Sequence, residues 1–175
     1  MHDYARILQE ILVGYALPVN GYHGVVHWAR VLENGLRVAA SNGGDAEVVQ
    51  LFALFHDARR VNDERDDGHG QRGGDLARTW RGSLVHLDDA RFALLYDACE
   101  RHTDGHTTGD PTVMACWDAD RLDLGRVDIV PTPELLCTET ARELLPWAHA
   151  RATTNHVPQA VLASWGLTPQ LTPLG

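Results

Sequence analysis

Val48-Val49-Gln50-Leu51-Phe52-Ala53-Leu54-Phe55-His56-Asp57-Ala58-Arg59-Arg60 is an apolar helical run with two metal-capable side chains near its end. Setting His56 and Asp57 side by side on a core-facing segment strips both of water, which is costly unless something pairs with them. A divalent cation is the natural partner. The run therefore predicts a buried helix that carries a histidine and a carboxylate into the interior for metal-dependent chemistry.

The surrounding sequence is helical nearly throughout. Tyr4, Ile7, Leu8, Ile11, Leu12 and Tyr15 recur at helical spacing and predict a first helix over about residues 3–16, closed by Pro18, Asn20 and Gly21. A second is expected from about Tyr22 to Ala40. After a Ser41–Asp45 turn, Asp45 suits the N-cap of the helix bearing His56-Asp57. Residues 61–68 read as a polar loop. Further helices are expected over about 69–82, from Leu87-Asp88-Asp89 to His102, and from Pro111, at a first helical position, to about Leu124. A short helix at Pro131–Glu134, another over 139–151 and a last one near 158–164 complete the pattern. No strand alternation or internal repeat is present. The expected fold class is all-α, an irregular helical bundle. Residues 1–152 are expected to form one domain. Residues 153–175 would be a C-terminal extension packing on the domain or on a partner subunit, with Leu167, Leu171 and Leu174 laid across a neighbour.

Composition narrows the function. The chain has 175 residues, 44% hydrophobic and 22% charged, which suits one globular domain with a real core. No apolar run is long enough to span a bilayer, and the N-terminus has no basic-then-apolar block, so neither a membrane anchor nor a cleaved signal is expected. Cys99, Cys116 and Cys137 have no CxxC spacing and read as reduced thiols of a cytoplasmic protein. Every basic residue is arginine, which excludes a Walker-type phosphate loop and a Schiff-base lysine. A formal net charge of −9 disfavours duplex nucleic acid as a partner. It does not disfavour a small anionic substrate, because a bound cation and a few arginines set the local field.

Ligands for one site are spread over several helices: His27, then His56 and Asp57, then His69, then His102, then the segment Trp117-Asp118-Ala119-Asp120-Arg121-Leu122-Asp123. A metal in a helical bundle is held by one or two groups from each element. Imidazoles mixed with carboxylates suit iron, manganese, zinc, cobalt or nickel better than calcium. Asp118 and Asp120 stand roughly 200° apart on a helix, so they cannot both face one ion. His23, four residues before His27, would share its helix face as a ligand or substrate contact. Arg59 and Arg60 follow the His-Asp pair, and Arg72 sits one turn past His69. At least one of Arg59 and Arg60 is expected to face the cleft with Asn62 and grip phosphate oxygens. Arg121 is expected to pair structurally with Asp118 or Glu100.

The ordered set His27 before Arg30-Val31, then His56-Asp57, then Ala119-Asp120-Arg121-Leu122 resembles the HD-domain superfamily of metal-dependent phosphohydrolases over about residues 22–125. The resemblance implies a metal held by His27, His56, Asp57 and Asp120. A subset of that superfamily holds a second metal on two further histidines, and His69 and His102 stand in the matching order. The resemblance thus implies one or two transition-metal ions. It also implies hydrolysis of a phosphate ester of a nucleotide or small phosphorylated metabolite, with Asp57, Arg59 and Arg60 acting in catalysis and His23, Asn62 and Arg72 contacting substrate. The Glu-x-x-x-Asp elements of its nucleotide-binding branches are not evident. Two other readings fit the residues: a di-iron oxygenase of the same superfamily, and a non-catalytic, metal-stabilised ligand sensor or interaction protein. A homo-oligomer is compatible with each.

Overall fold

The computed structural model describes residues 2–167. The sequence positions of Leu171 and Leu174 lie outside them. Eight α-helices follow one another: α1 Tyr4–Val13, α2 Val25–Asn42, α3 Ala46–Phe55, α4 His69–Thr79, α5 Asp89–Arg101, α6 Pro111–Arg121, α7 Glu139–Thr153 and α8 Gln159–Ser164. Two 3₁₀ turns, Leu124–Val127 and Pro133–Leu135, break the stretch between α6 and α7. Among the described residues the only β-type pairing is an isolated bridge between Arg81 and Val85. The fold is all-α, as the periodicity predicts.

Side-chain caps fix where most helices start. Asp3 accepts from Arg6 N, Asp45 from Glu47 N and Val48 N, Asp88 from Arg91 N, Asp110 from Thr112 N and Thr138 from Ala141 N. Each satisfies backbone donors that the first helical turn leaves free. α3 is the central element. Val48, Val49 and Leu51 through Phe55 are all buried, and α2, α5, α6, α4 and α1 pack around it. A helix this apolar turns only Ala46, Glu47 and Gln50 toward solvent. Burial of each large side chain contributes about 1.5–3 kcal/mol. α8 packs on α2, with Leu162 and Trp165 buried. Leu167 packs against this chain's own core.

Three helix ends differ from the expected boundaries in ways that shape the site. α1 stops at Val13 and α2 starts only at Val25, so His23 does not share a helix face with His27. Gly24 sets that late start: its extended backbone brings it so close to Val19 that a Cβ would stand 2.0 Å from the Val19 carbonyl oxygen. α3 ends at Phe55, which puts His56 and Asp57 in the turn that follows. α4 then lies directly over this turn. A Cβ on Gly73 would stand 2.0 Å from the Phe55 carbonyl oxygen, and one on Gly70 would stand 2.1 Å from the Cys99 carbonyl oxygen. Glycines at these positions let α4 sink between the ends of α3 and α5 and bring His69 beside His102.

Gly73→Ala is therefore expected to destabilise the fold although alanine favours helix. Forcing a methyl against backbone costs about 1–3 kcal/mol, or roughly 2–4 °C of Tm per kcal/mol in a chain this long. Thermal melts should show a loss of about 2–12 °C, with little change for Gly109→Ala, where the nearest atom to an added Cβ is 3.6 Å away on the Trp117 ring.

Candidate metal centre

Five histidines and two aspartates meet where the ends of α3, α5 and α6 approach the starts of α2 and α4. His27 projects from the first turn of α2, His56 and Asp57 from the turn after α3, His69 from the start of α4, His102 from the cap of α5 and Asp120 from the last turn of α6. His23 reaches the group from the loop before α2. His27, His56, Asp57, His69 and His102 are each no more than 4% exposed.

Four of the imidazoles are tied down in the same way. His27 Nδ1 lies 2.7 Å from Asp123 Oδ2, His69 Nδ1 2.6 Å from the Asp66 carbonyl and His102 Nδ1 2.7 Å from the Cys99 carbonyl. His56 Nδ1 lies 3.2 Å from both the Phe52 and Ala53 carbonyls. A carbonyl or carboxylate oxygen only accepts, so each Nδ1 must carry the proton and donate it. That fixes the tautomer and leaves each Nε2 as a lone pair, with Arg60 Nη1 standing 3.1 Å from that of His69. Yet the Nε2 atoms of His27 and His56 are 3.1 Å apart, and those of His69 and His102 are 3.0 Å apart. Two lone pairs that close repel unless a positive charge sits beside them.

The carboxylates complete the same pattern. Asp57 Oδ1 lies 3.2 Å from His69 Nε2 and 3.9 Å from His102 Nε2, while its Oδ2 lies 3.7 Å from His27 Nε2 and 3.8 Å from His56 Nε2. Asp120 Oδ1 lies 3.4 Å from His27 Nε2 and 3.9 Å from His56 Nε2. Asp57 Oδ1 and Asp120 Oδ1 are both buried without a hydrogen-bond partner. His27, His56 and Asp120 form one group with metal-ligand spacing, and Asp57, His69 and His102 form another. Orphaned carboxylate oxygens facing bare imidazole nitrogens fit a divalent metal site, and their chemistry suits a borderline transition metal.

Local electrostatics agree. Burial pushes the His102 imidazole down to about 4 and holds His27 well below the ordinary histidine value, so both favour the neutral, ligating form. Burial alone would raise Asp120, but Arg126 and the surrounding imidazoles bring it to about 2. Burial likewise opposes ionised Asp57, yet the charge of nearby His56, the hydrogen bond from His23 and the contact with His69 hold it well below the carboxylate range. His69 goes the other way. Burial would lower it, but its contact with Asp57 raises it. A proton there meets the same demand for positive charge that a metal ion meets.

Asp118 has a separate role. It is fully buried and accepts from Cys137 N at 2.6 Å, Thr138 N at 3.0 Å and Thr138 Oγ1 at 2.7 Å, which ties α6 to the start of α7. Of the two aspartates, only Asp120 meets the histidines. Sequence reading passed over Asp123 and Arg126. Asp123 receives His27 Nδ1–H and is clamped by Arg30, whose Nε lies 2.6 Å from Oδ1 and Nη2 3.1 Å from Oδ2. The signal was present: Arg30 follows His27 by three residues and Asp123 follows Asp120 by three, so each pair shares a face. Arg126 Nη2 stands 3.8 Å from Asp120 Oδ1, and its Nε donates to the Tyr22 carbonyl. It lies beyond the end of α6, where periodicity gives no register.

A cleft of 360 Å³ opens onto the cluster, lined by His23, Asp57, Arg60, Asp63, Asp120 and Arg126 among others. His23 Nδ1–H donates to Asp57 Oδ2 at 2.9 Å. Arg60 Nη1 lies 3.1 Å from His69 Nε2 and 3.7 Å from Asp57 Oδ1. Arg59 does not reach the cleft: it turns back to donate to the Ile11 and Ala58 carbonyls beside Gly14. Arg72 does not reach it either. Its Nη2 pairs with Asp66 and its Nε donates to the Arg59 carbonyl, bracing the 61–68 loop. Asn62 is exposed, and its side chain accepts from Glu64 N within that loop. Both residues serve the loop because its polar backbone needs partners closer at hand than the cleft. Arg121 pairs with neither Asp118 nor Glu100. Its Nη1 donates to the Leu135 carbonyl at 2.6 Å.

The two buried aspartates should separate on mutation. Asp123→Asn loosens the anchor of His27 and is expected to weaken metal affinity about 10–100-fold. Asp118→Asn should lower Tm, by roughly 1–3 kcal/mol of stability, with affinity nearly unchanged. Metal titration and thermal melts of both variants check this. Equal effects on affinity would contradict the division of roles.

No protein-family model matches the chain, and no curated protein matches it. Among solved structures, it is similar to the crystal structure of a predicted HD superfamily hydrolase from an uncultured Thermotogales bacterium. The likeness has 26% identity and a TM-score of 0.63, and covers 93% of this chain and 91% of that one. With its helical order, its buried His-Asp pair and this structural likeness, the chain has the HD-domain fold.

Proposed function

We propose that this protein is a metal-dependent phosphohydrolase acting on a small phosphate ester. One observation carries the reading. Five buried side chains and the half-buried Asp120 turn unpartnered or lone-pair atoms toward one another, directly beneath a cleft that two arginines border. The likeness to a solved protein described as a predicted hydrolase supports the reaction class.

His27, His56 and Asp120 would hold one ion, and Asp57, His69 and His102 a second. Bound metal lowers the pKa of a water and polarises phosphoryl oxygens. The chain's own residues do the rest. Arg60 and Arg126 offer guanidinium donors to the phosphoryl oxygens, where charge grows during the displacement. Asp123 and the backbone carbonyls keep the imidazoles from rotating. His23, held on Asp57 through Nδ1, leaves its other nitrogen to carry a proton at the cleft wall. Hydrolysis forms a bond from water oxygen to phosphorus, breaks the phosphorus–oxygen bond of the ester, and returns a proton to the leaving alcohol.

Metal-loaded protein screened against phosphomonoesters and diesters is expected to turn over at least one class. Asp57→Ala should abolish that activity. Arg126→Ala should cut kcat/KM by about 10–1,000-fold while metal content stays unchanged. Activity that survives Asp57→Ala, or no activity on any ester, would overturn the proposal.

A further inference from the structure

The charged cleft does not end at the cluster. At His102, Thr103, Asp120 and Leu124 it adjoins a second pocket of 270 Å³, also lined by Pro131, Thr132, Leu135 and Leu136. Its character is different. Most of its wall is apolar carbon, and its side-chain hydroxyls are those of Thr103 and Thr132. Arg121 borders it: Nη1 donates to the Leu135 carbonyl, and Nη2 is buried without a hydrogen-bond partner. A charged end and an apolar end thus share the same cluster residues.

We infer that the apolar pocket receives the organic part of the phosphate ester, and that this part is a compact aryl or branched alkyl group. The inference rests on the phosphohydrolase reading and narrows it. A cavity of about 150 Å³ holds a benzene ring, so this one has room for a ring with substituents or a chain of similar bulk. A sugar or nucleoside fits the volume but not the wall. Each hydroxyl brought against Leu124, Leu135 and Leu136 without a partner costs about 10–100-fold in binding. The continuity of the two spaces sets the order: phosphate beside Arg60 and Arg126, carbon beyond His102 and Asp120.

Phosphonates test the pocket without requiring turnover. Binding of phenylphosphonate, methylphosphonate and ribose 5-phosphate to the metal-loaded protein is measured by calorimetry. Phenylphosphonate is expected to bind at least about tenfold tighter than either of the others. Thr132 is exposed and lines only the apolar pocket, so Thr132→Trp should fill it without disturbing the core. That variant should lose the phenyl preference and keep its methylphosphonate affinity. Leu135→Trp, at a second exposed wall position, should do the same. Equal affinities in the wild type, a preference for ribose 5-phosphate, no binding of phenylphosphonate, or a phenyl preference that survives both variants would each overturn the inference. Protein that shows the preference but hydrolyses no ester would keep the pocket and remove the phosphohydrolase reading.

Discussion

Bare imidazole nitrogens about 3 Å apart are the constraint on which this protein is organised. His27 faces His56 and His69 faces His102, each with its other nitrogen already donating. Such pairs destabilise a dry interior until a cation joins them, as do the orphaned oxygens of Asp57 and Asp120. The apolar mass of α3 and the glycine-permitted approach of α4 supply the packing that holds these groups together. Part of the stability of the fold is therefore linked to ligand binding, since an ion bound only by the folded chain stabilises it by mass action.

The anchoring groups matter as much as the ligands. Helix ends provide most of them: the carbonyls of Phe52, Ala53 and Cys99 belong to the last turns of α3 and α5. The two histidines at helix starts differ: His69 donates to the Asp66 carbonyl of the loop before α4, whereas His27 donates to Asp123, which follows α6 and is clamped by Arg30 of α2.

Much of this was legible in the sequence, for physical reasons. The all-α class follows from 3.6-residue periodicity, and Asp45 and Asp110 announce their helices as caps. His27, His56, Asp57, His69 and His102 could be picked out because metal-capable residues recur near helix ends, and the resemblance to the HD-domain pattern favours Asp120 over Asp118. What escaped notice depends on contacts distant in the chain. Whether Arg59 or Arg60 enters the cleft is decided by the Ile11 carbonyl, 48 residues away, which draws Arg59 off. Arg72 was lost to Asp66 and Asn62 to its own loop. Arg126 sits past the last helical register, and nothing local marks it. The close approach of α4 was written in Gly70 and Gly73, but glycine in a helix reads first as a weak helix former.

Elemental analysis of protein purified without chelator tests the central claim most directly, repeated after His102→Ala. Two transition-metal ions per chain in the wild type, and one in the variant, are what the paired clusters predict. Wild-type protein that carries no transition metal, and takes up none when iron, manganese, zinc, cobalt and nickel are offered, would contradict the account.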